Sequence, residues 1–400
     1  MKKKKILLII PEMMMGGAQR SLSKLSLEFS NDYTVWLVIF NRNENIAYSY
    51  GGELISLDVE SGEGLFNKIK FFRHRVNRLR KLKKDLSIDV SISFLEGADY
   101  VNILSRVHDK IILSVRGSKR YDETITGKFS WLRNKILIPW LYRYADAIVT
   151  VNHGIANELG TIYDLKKVNI STIGNFYHIE EITKLALEPK EENINRLYKD
   201  PILIATGRLA PEKGLDKLLH VFYQLKKERE KLRFVIVGDG PSLPNLISIA
   251  DQLNLSVHYG SNFEESPDVL FLGNQSNVFK FLKGATLFLM NSSSEGFPNG
   301  LAEAMICGVP VVSSDCPYGP REILAPQFPF SSPVTEPHFS PCGVLMPLIH
   351  SGLDNKIWVD TLRNVLGNKA ALYELARKGI ERATFFNQKK TIQQWYDLLD

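Results

Sequence analysis

Two carboxylates, Glu295 and Glu303, stand eight positions apart in the segment NSSSEGFPNGLAEAMICGVP, residues 291–310. If a helix begins near Pro298, a residue that suits a first helical turn, Glu303 lies on that helix and Glu295 in the loop before it. The two acids then approach one ligand from different directions. Carboxylates accept hydrogen bonds in pairs and therefore suit vicinal hydroxyls of a sugar or a ribose. Capping or salt-bridge roles are the alternative, and the helix dipole would also favour Glu295.

Cations crowd a second loop, within ATGRLAPEKGLDKLL, where Gly207, Arg208 and Lys213 stand between a predicted strand and a predicted helix. A fixed guanidinium fork and a mobile ammonium at a helix N-terminus can together neutralise a diphosphate. The alternative is a solvated turn in which both cations pair with Glu212. The phosphate interpretation is favoured because ligands of open α/β sheets bind beyond the carboxyl ends of the strands.

A glycine pair, Gly16 and Gly17, follows the first predicted strand and precedes a helix predicted from about Ala18 to Phe29. Glycines at such a turn let backbone N–H groups approach a phosphate, although a plain tight turn is an equal alternative. The pattern GxGxxG is absent here, and GxxxxGK[ST] occurs nowhere in the sequence. Both absences argue against a dinucleotide dehydrogenase and a P-loop ATPase.

The elements that must position these loops are short apolar runs rich in β-branched residues, which alternate with longer helical patterns. This alternation predicts parallel sheets covered on both faces, in two doubly wound α/β units. The predicted strands are 5–10, 34–39, 89–94, 110–115 and 147–151 in the first half, and 201–206, 233–237, 269–272, 286–290 and 309–313 in the second.

Four hundred residues exceed one ordinary core, so two domains are expected. The polar segment 173–200 has no strand pattern and is predicted to hold a hinge and one helix, which places the boundary near residue 180. The last helical pattern, 388–399, carries four apolar side chains on one face and is too apolar to be a free tail. The predicted domains are 1–180 and 181–380, followed by a C-terminal helix, 381–400, that packs back on a domain.

Composition excludes several classes of protein. Three cysteines are too few and too poorly spaced for a disulfide framework or a zinc site, which fits a reducing cytoplasm. The start MKKKKILLII has an apolar run shorter than that of a secretory signal, and no later run is long enough to cross a bilayer. A net charge of +6 favours anionic partners but does not choose between nucleic acid, lipid and phosphate.

Taken together, the motifs resemble glycosyltransferase family 4, retaining enzymes of the GT-B fold that use nucleotide-sugar donors. The resemblance rests on GRLAPEKG (207–214), VGDGP (237–241), FLG (271–273) and SSSEGFPNGLAEAMICGVPVV (292–312), in the family's order, and on GGAQR in the first half. It implies two Rossmann-like doubly wound parallel-sheet domains facing across a cleft. The N-terminal domain would bind the acceptor, the C-terminal domain the nucleotide-sugar, and the C-terminal helix would cross back to the N-terminal domain.

The resemblance also implies roles for single residues. Arg208 and Lys213 match the cations that bind the donor diphosphate and stabilise the departing nucleotide. Glu303 matches the acid that holds the ribose hydroxyls, and Glu295 the acid that faces the transferred sugar. Preorganised cations stabilise the leaving-group charge, so no metal is required. The implied donor-binding set also contains Gly16, Gly17, Gly207, Gly296, Phe297, Pro298, Asn299, Gly300 and Leu301.

One departure from the family concerns the loop after the strand 110–115, where many members carry a histidine and this chain has Arg116, in SVRGSKRYD. An arginine cannot serve as a general base, so Arg116 is expected to orient donor or acceptor. His153, in VNHGIANEL, also follows a predicted strand. Helix capping is its favoured role, with a place in the cleft as the alternative.

Residues 66–86, FNKIKFFRHRVNRLRKLKKDL, combine an apolar stripe at helical spacing with nine Lys or Arg between Lys68 and Lys84. A solvated surface and an attachment to an anionic membrane or a lipid-linked diphosphate are equal alternatives. A second basic-aromatic stretch contains Trp131, Trp140 and Tyr142, and there a core position is favoured.

The sequence therefore predicts a cytoplasmic, metal-independent retaining glycosyltransferase that moves a hexose or an N-acetylhexosamine to a glycan or lipid-linked acceptor of a surface polysaccharide, such as capsule or lipopolysaccharide. The segment SSDCPYGPREIL (313–324) favours a UDP-linked donor by resemblance, and peripheral attachment to the inner face of the cytoplasmic membrane stays open. The alternatives are a GT-B sugar phosphorylase, a nucleotide-sugar epimerase, or an inactive nucleic-acid-binding module. No nucleic-acid partner is expected, because the basic residues lack interleaved exposed aromatics for base stacking.

Overall fold

The computed structural model describes residues 3–41, 46–59, 64–122, 127–328, 332–350 and 352–399. The chain divides into two compact units, residues 1–175 together with 391–400, and residues 176–390. The sequence predicts boundaries at 180 and 380, which lie five residues after the first of these divisions and ten residues before the second.

The first unit is built on a seven-stranded sheet in which every neighbouring pair of strands is parallel. Its strands are β1 (Lys5–Ile9), β2 (Thr34–Ile39), β3 (Glu53–Ser56), β4 (Val90–Phe94), β5 (Lys110–Val115), β6 (Ala147–Thr150) and β7 (Ile170–Thr172). Their order is β3-β2-β1-β4-β5-β6-β7. Five of them match predicted strands. The sequence missed β3 and β7 because these are short, half-buried edge strands without a continuous apolar run.

Helices cover both faces of this sheet. They are α1 (Gly17–Asp32), α2 (Leu65–Leu86), α3 (Glu96–Leu104), α4 (Gly127–Leu132), α5 (Ile138–Leu141) and α6 (His153–Thr161). A π-helical turn, Arg133–Leu137, joins α4 to α5, and a 3-10 turn, Tyr142–Tyr144, follows α5. Helices α2 and α3 share one apolar cluster with β1 and β2, which contains Val76, Leu79, Ala98 and Val101.

The α2 helix departs from the predicted pattern at both ends. Its apolar stripe packs inward only from Phe72 onward, since Ile69 and Phe66 are exposed. Lys83, predicted to belong to the cationic face, is instead fully buried and forms an ion pair of 2.8 Å with Asp109, also fully buried. The cationic surface of α2 is therefore smaller than its sequence predicts.

The second unit contains an eight-stranded sheet. Its strands are β8 (Ile202–Thr206), β9 (Arg233–Val237), β10 (Val257–Tyr259), β11 (Val269–Phe271), β12 (Leu287–Met290), β13 (Val311–Ser314), β14 (His338–Ser340) and β15 (Gly343–Met346). Their order is β10-β11-β9-β8-β12-β13-β15-β14, and only β14 runs antiparallel to its neighbour. The sequence missed β10, β14 and β15, three short strands at the outer ends of the sheet.

The helices of the second unit are α7 (Ile179–Ala186), α8 (Glu192–Leu197), α9 (Leu215–Glu228), α10 (Leu243–Gln252), α11 (Phe279–Leu282), α12 (Asn299–Ile306), α13 (Gly319–Leu324), α14 (Gly352–Gly367) and α15 (Lys369–Ala383). The segment 173–200 holds two helices, α7 and α8, where the sequence predicts one. Both are amphipathic and contribute Ile182 and Ile194 to the core. None of the helices in the described ranges combines the length and apolarity that a bilayer crossing requires.

The last helix, α16 (Gln388–Leu399), belongs to the first unit from Thr391 onward. It packs on α1, where the Trp395 and Phe29 rings meet edge to face with centroids 6.2 Å apart. The Tyr396 hydroxyl donates a hydrogen bond of 2.8 Å to Asp32. The predicted return of this helix to the N-terminal domain is confirmed.

Candidate active site

The two loops that the sequence singles out leave the sheet of the second unit side by side. Arg208 and Lys213 follow β8, and Glu295 follows β12. These two strands are parallel neighbours, so both loops emerge at the carboxyl edge of the sheet. That edge is where open α/β sheets bind their ligands.

An ion pair joins the two loops. The Lys213 ammonium lies 2.5 Å from Glu295 Oε1, and the Ser292 hydroxyl donates a hydrogen bond of 2.8 Å to the same oxygen. Burial by itself lowers the pKa of Lys213, but the Glu295 carboxylate outweighs burial and raises that pKa above its ordinary value. The site therefore holds a charged ammonium, and the partner of Lys213 is Glu295 and not the predicted alternative, Glu212.

The backbone fixes this pair from three directions. The Ser293 N–H donates to the Glu212 carbonyl at 2.8 Å, which ties the β12 loop to the β8 loop. The Glu295 N–H donates to the Pro317 carbonyl, and the Tyr318 N–H donates back to the Glu295 carbonyl, each at 2.9 Å. Because Pro317 and Tyr318 follow β13, the loops of three neighbouring strands hold Glu295 in place.

Two glycines allow the loops to approach closely. Gly214 ends the 3-10 turn that carries Lys213 and has a φ of +58°; a Cβ there would lie 2.5 Å from the Asn291 carbonyl oxygen. Gly238, after β9, has a φ of +139°, and its Cβ would lie 1.9 Å from the Gly207 carbonyl oxygen. Side chains at either position would push the β8 loop away from its neighbours.

Arg208 is exposed at the same carboxyl edge. Its loop is pinned by backbone hydrogen bonds of 2.9 Å from Gly207 to the Val237 carbonyl and from Leu209 to the Asp239 carbonyl. Within the described ranges the Arg208 guanidinium makes no ion pair. The backbone of the Arg208 loop is therefore fixed by its hydrogen bonds, while the side-chain charge faces solvent.

Helix α12 begins at Asn299, with Pro298 as its N-cap residue, one position later than the sequence predicts. Glu303 is buried in this helix, with 3% of its surface exposed. Glu295 lies in the preceding loop, so the two acids do belong to different elements. Gly300 and Leu301 lie in the first turn of α12, and Leu301 is fully buried.

Two side chains of the implied donor-binding set face the core of their own unit. The Phe297 ring packs edge to face on Phe386, with centroids 5.4 Å apart. The Tyr177 hydroxyl donates a hydrogen bond of 2.5 Å to Asn299 Oδ1. Phe297 and Asn299 can therefore present their backbone, together with that of Gly296, while their side chains anchor the start of α12.

In the first unit, the glycine pair and Arg116 lie close together. Gly17 begins α1, and the Gly16 N–H donates a hydrogen bond of 3.3 Å to the Tyr48 hydroxyl. Arg116, beyond the end of β5, donates to the Ser21 hydroxyl of α1 at 2.8 Å and also to Asn175 Oδ1. The guanidinium is thus held beside the first turns of α1.

His153 is not the capping residue that the sequence favours. It is the first residue of α6 and is exposed, whereas Asn152 caps the helix through its side-chain oxygen, which accepts a hydrogen bond of 2.7 Å from the Ile155 N–H. An asparagine before a helix is a strong capping signal, so the correct assignment was available one position earlier.

Sequence reasoning missed the residues that hold the loop after β5. Glu158 of α6 is buried and accepts hydrogen bonds from the backbone N–H groups of Lys119 and Arg120, at 2.7 and 3.1 Å. Glu96 of α3 forms ion pairs with Lys119 at 3.2 Å and with Arg133 at 2.7 Å. No local pattern marks these acids, because their partners lie tens of residues away along the chain.

The Glu96 carboxyl stays ionised in this setting. Burial by itself would raise its pKa, but Lys119, Arg133 and a hydrogen bond from the Tyr100 hydroxyl outweigh burial and lower the pKa to about 2. The loop that carries Arg116 is thus attached to α3 and α6 through two carboxylates.

The second unit thus carries a lysine–glutamate pair and an exposed arginine at the carboxyl edge of its sheet, where open α/β sheets bind their ligands. Residues 188–330 match the family model described as glycosyl transferases group 1. This match and the glycosyltransferase relatives support the GT4-type family that the sequence predicts, and superposition on solved structures confirms the predicted GT-B fold.

Two relatives that are named as glycosyltransferases align with most of the chain. An uncharacterized glycosyltransferase of Methanocaldococcus jannaschii is 28% identical over 80% of this chain and 80% of its own. An N-acetylgalactosamine-N,N'-diacetylbacillosaminyl-diphospho-undecaprenol 4-alpha-N-acetylgalactosaminyltransferase of Campylobacter jejuni is 28% identical over 77% of this chain and 80% of its own.

Solved structures agree at the level of the fold. Sucrose-phosphate synthase of Thermosynechococcus elongatus superposes with a TM-score of 0.76 at 15% identity, covering 99% of this chain and 98% of its own. Anabaena HepE in complex with UDP and glucose superposes with a TM-score of 0.72 at 15% identity, covering 99% of each chain.

Proposed function

We propose that the protein is a retaining, metal-independent transferase that moves a hexose or an N-acetylhexosamine from a UDP-linked donor to a glycan or lipid-linked acceptor. The observation that carries the proposal is the Lys213–Glu295 pair of 2.5 Å, formed by the loop after β8 that also carries the exposed Arg208. In this proposal Arg208 and Lys213 bind the donor diphosphate, Glu295 faces the sugar, and Glu303 binds the ribose hydroxyls.

The chemistry follows from where charge develops. As the bond between the anomeric carbon and the phosphate oxygen breaks, negative charge grows on the departing diphosphate. Cations that are already fixed and charged stabilise this state more than the ground state. The acceptor oxygen forms the new bond on the same face of the sugar, and its proton passes to the departing phosphate oxygen. Arg116, which cannot be a base, orients donor or acceptor.

Support for the donor and the acceptor comes from the names of relatives. The Campylobacter jejuni relative transfers N-acetylgalactosamine to a saccharide on diphospho-undecaprenol, and the HepE structure contains UDP and glucose. We propose a UDP-linked donor and a lipid-linked acceptor for this chain as well. A product destined for surface polysaccharide would then be assembled at the inner face of the cytoplasmic membrane.

The surface of α2 supports attachment to such a membrane. Phe66 and Ile69 are 81% and 52% exposed at its first turns, and Lys68, Lys70 and Arg73 are exposed between and after them. Apolar side chains flanked by cations at a helix surface favour an anionic bilayer. The three arginines further along contribute less, because they donate to backbone carbonyls of their own unit: Arg75 to Val59, Arg78 to Leu57 and Arg80 to Leu104.

The test is a panel of nucleotide-sugars, with nucleotide release measured in the presence and absence of a bacterial lipid extract and of EDTA. We expect one UDP-sugar to be turned over, faster with lipid, and unchanged by EDTA. Lys213→Ala should abolish most turnover, whereas Lys217→Ala, a matched control on α9, should not.

Several outcomes would contradict the proposal. Loss of turnover in EDTA would refute metal independence, and a product of inverted anomeric configuration would refute retention. Formation of a sugar 1-phosphate from inorganic phosphate would favour a phosphorylase. If no nucleotide-sugar is bound while DNA or RNA binds with a steep salt dependence, the protein is a nucleic-acid-binding module.

A further inference from the structure

An apolar row runs along the outer surface of the segment between β5 and β6. Its members recur at every fourth residue and are 37, 43, 52 and 51% exposed: Leu132, Ile136, Trp140 and Tyr144. Trp131, beside the start of the row, is 61% exposed. The core position that the sequence favours for Trp131 and Trp140 is therefore wrong, and only Tyr142 is buried as expected.

The segment turns these side chains outward because other residues occupy its inner side. Arg133 is buried in its ion pair with Glu96, and Ile138, Leu141 and Tyr142 are buried after it. The π-helical turn between α4 and α5 has one residue more than an α-helical turn would have. Arg133 and Ile138, five positions apart, therefore both face inward.

A basic row lies next to the apolar one. Lys135 and Arg143 are exposed, and each immediately precedes a member of the apolar row. The Trp140 and Tyr144 rings pack edge to face, with centroids 5.9 Å apart, so the aromatic side chains support each other. The sequence from 127 to 144 contains no Asp or Glu. The surface thus combines exposed aromatic rings with positive charge, contrary to the expectation that no exposed aromatics interleave with the basic residues, and its own segment supplies no acid.

We propose that this surface docks on an anionic phospholipid bilayer. Tryptophan and tyrosine favour the headgroup region of a membrane, because their rings are apolar and carry one polar group. Lysine and arginine beside them are attracted to anionic headgroups. A second copy of the chain is a poorer partner, since a symmetric contact would bring the same uncompensated cations together.

The α2 surface lies on the same face of the sheet. The connections β3–α2–β4, β4–α3–β5 and β5 to β6 all cross the sheet in one direction, and right-handed crossovers place their helices on one face. The end of α3 touches both neighbours, because Arg80 of α2 donates to the Leu104 carbonyl and Arg106 donates to the Tyr144 carbonyl. Two basic-apolar surfaces therefore flank α3, and the 131–144 surface adds tryptophan and tyrosine side chains, which the α2 helix does not contain. A role for this docking in catalysis rests on the proposed lipid-linked acceptor.

The experiment uses the full chain and vesicles of phosphatidylcholine with or without phosphatidylglycerol. Co-sedimentation should show binding only to the anionic vesicles. Trp140→Ser/Tyr144→Ser should weaken this binding about tenfold or more, and Lys135→Glu/Arg143→Glu should abolish its dependence on phosphatidylglycerol. Tyr373→Ser, which removes a side chain 67% exposed in the second unit, is the matched control and should bind as the wild type does. Equal thermal midpoints check that every variant is folded.

Tryptophan fluorescence maps the contact independently. Of the five tryptophans, Trp358 and Trp395 are buried and Trp36 is partly buried in β2, so brominated phospholipid should quench mainly Trp131 and Trp140. Quenching should fall to the small contribution of Trp36 in Trp131→Phe/Trp140→Phe and disappear when Trp36→Phe is added. Persistent quenching, unchanged affinity of the double variants, or no vesicle binding by the wild type would overturn the inference. A concentration-dependent dimer that the variants dissociate would show that a second copy covers the surface instead.

Nucleotide release from the donor in solution separates this inference from the proposed function. The surface variants should keep that release, because their side chains lie outside the donor site. If the wild type binds vesicles through this row but turns over no donor, the proposed function alone fails. If donor is turned over while the variants bind vesicles normally, the docking inference alone fails.

Discussion

Lys213→Ala tests the proposed catalytic cation most directly. Lys213 lies 2.5 Å from Glu295 at the carboxyl edge of the second sheet, and this pairing raises its pKa, so an ammonium is charged and in place before the donor arrives. Removing a preorganised group that stabilises developing charge commonly lowers kcat by roughly 10²–10³-fold. We expect a loss of that size in kcat, with a smaller rise in the KM for donor.

The structure adds a second effect. Only 14% of the Glu295 side chain is exposed, so Lys213→Ala leaves a largely buried carboxylate without its cation, next to the position proposed for the donor diphosphate. Like charges at such distances repel by roughly 1–4 kcal/mol, depending on solvent access. The double variant Lys213→Ala/Glu295→Gln removes that repulsion. It should recover about tenfold in kcat/KM relative to Lys213→Ala, even though Glu295→Gln alone is impaired.

The assay is steady-state nucleotide release by the wild type, both single variants and the double variant, with Lys217→Ala as the control on α9. A coupling energy of at least about 1 kcal/mol between the two positions is expected. Normal kcat in Lys213→Ala would refute the role of this cation in turnover. Strictly additive losses would refute the idea that the pair acts as a unit.

Three further predictions concern other groups. Glu303→Ala should raise the KM for donor about tenfold or more while kcat changes little. The reason is that contacts to the ribose are made equally in the ground state and the transition state. An unchanged KM would refute the ribose role. Asp109→Asn should lower the free energy of unfolding by roughly 3–5 kcal/mol, because it removes the carboxylate paired with the buried Lys83 ammonium, whose pKa burial already lowers to about 8. Lys83→Met/Asp109→Leu should cost less, and urea unfolding that ranks the two oppositely would contradict this. The pKa of Glu96 is lowered to about 2, so its contribution to the free energy of unfolding is present above about pH 4.5 and is lost as the pH falls toward 2. Glu96→Gln should lower the free energy of unfolding by roughly 3 kcal/mol at pH 7 and make it depend less on pH in the acid range. An unchanged acid slope, measured by urea unfolding at several pH values, would disprove the assignment.

Much of the fold could be predicted from sequence because strands and helices carry local periodic patterns. Ten strands match predicted runs, with ends that differ by no more than two residues. The missed strands are short or lie at sheet edges, where half of the side chains are exposed and the apolar pattern fades. The single helix predicted for 173–200 was wrong because α7 and α8 are short, and the polar residues between them hid the break.

The candidate site could be predicted as a set of loops but not as a set of contacts. Residue type and position at strand ends pointed to Arg208, Lys213, Glu295 and Glu303. Which acid neutralises Lys213 was not predictable, because Glu212 is its neighbour in sequence while Glu295 lies 82 residues away. Only the adjacency of β8 and β12 brings that second acid within hydrogen-bonding distance.

By itself, then, the sequence determined the alternation of strands and helices and the loops that carry cations and acids, and it predicted the family that the relatives support. The tertiary structure decided which of nine similar cations on α2 is buried, and that Trp140 faces outward while Tyr142 faces inward. The physical reason is that periodicity and turn chemistry are properties of neighbouring residues. Burial and charge pairing depend on which distant segment packs alongside, and a single stretch of sequence does not contain that partner.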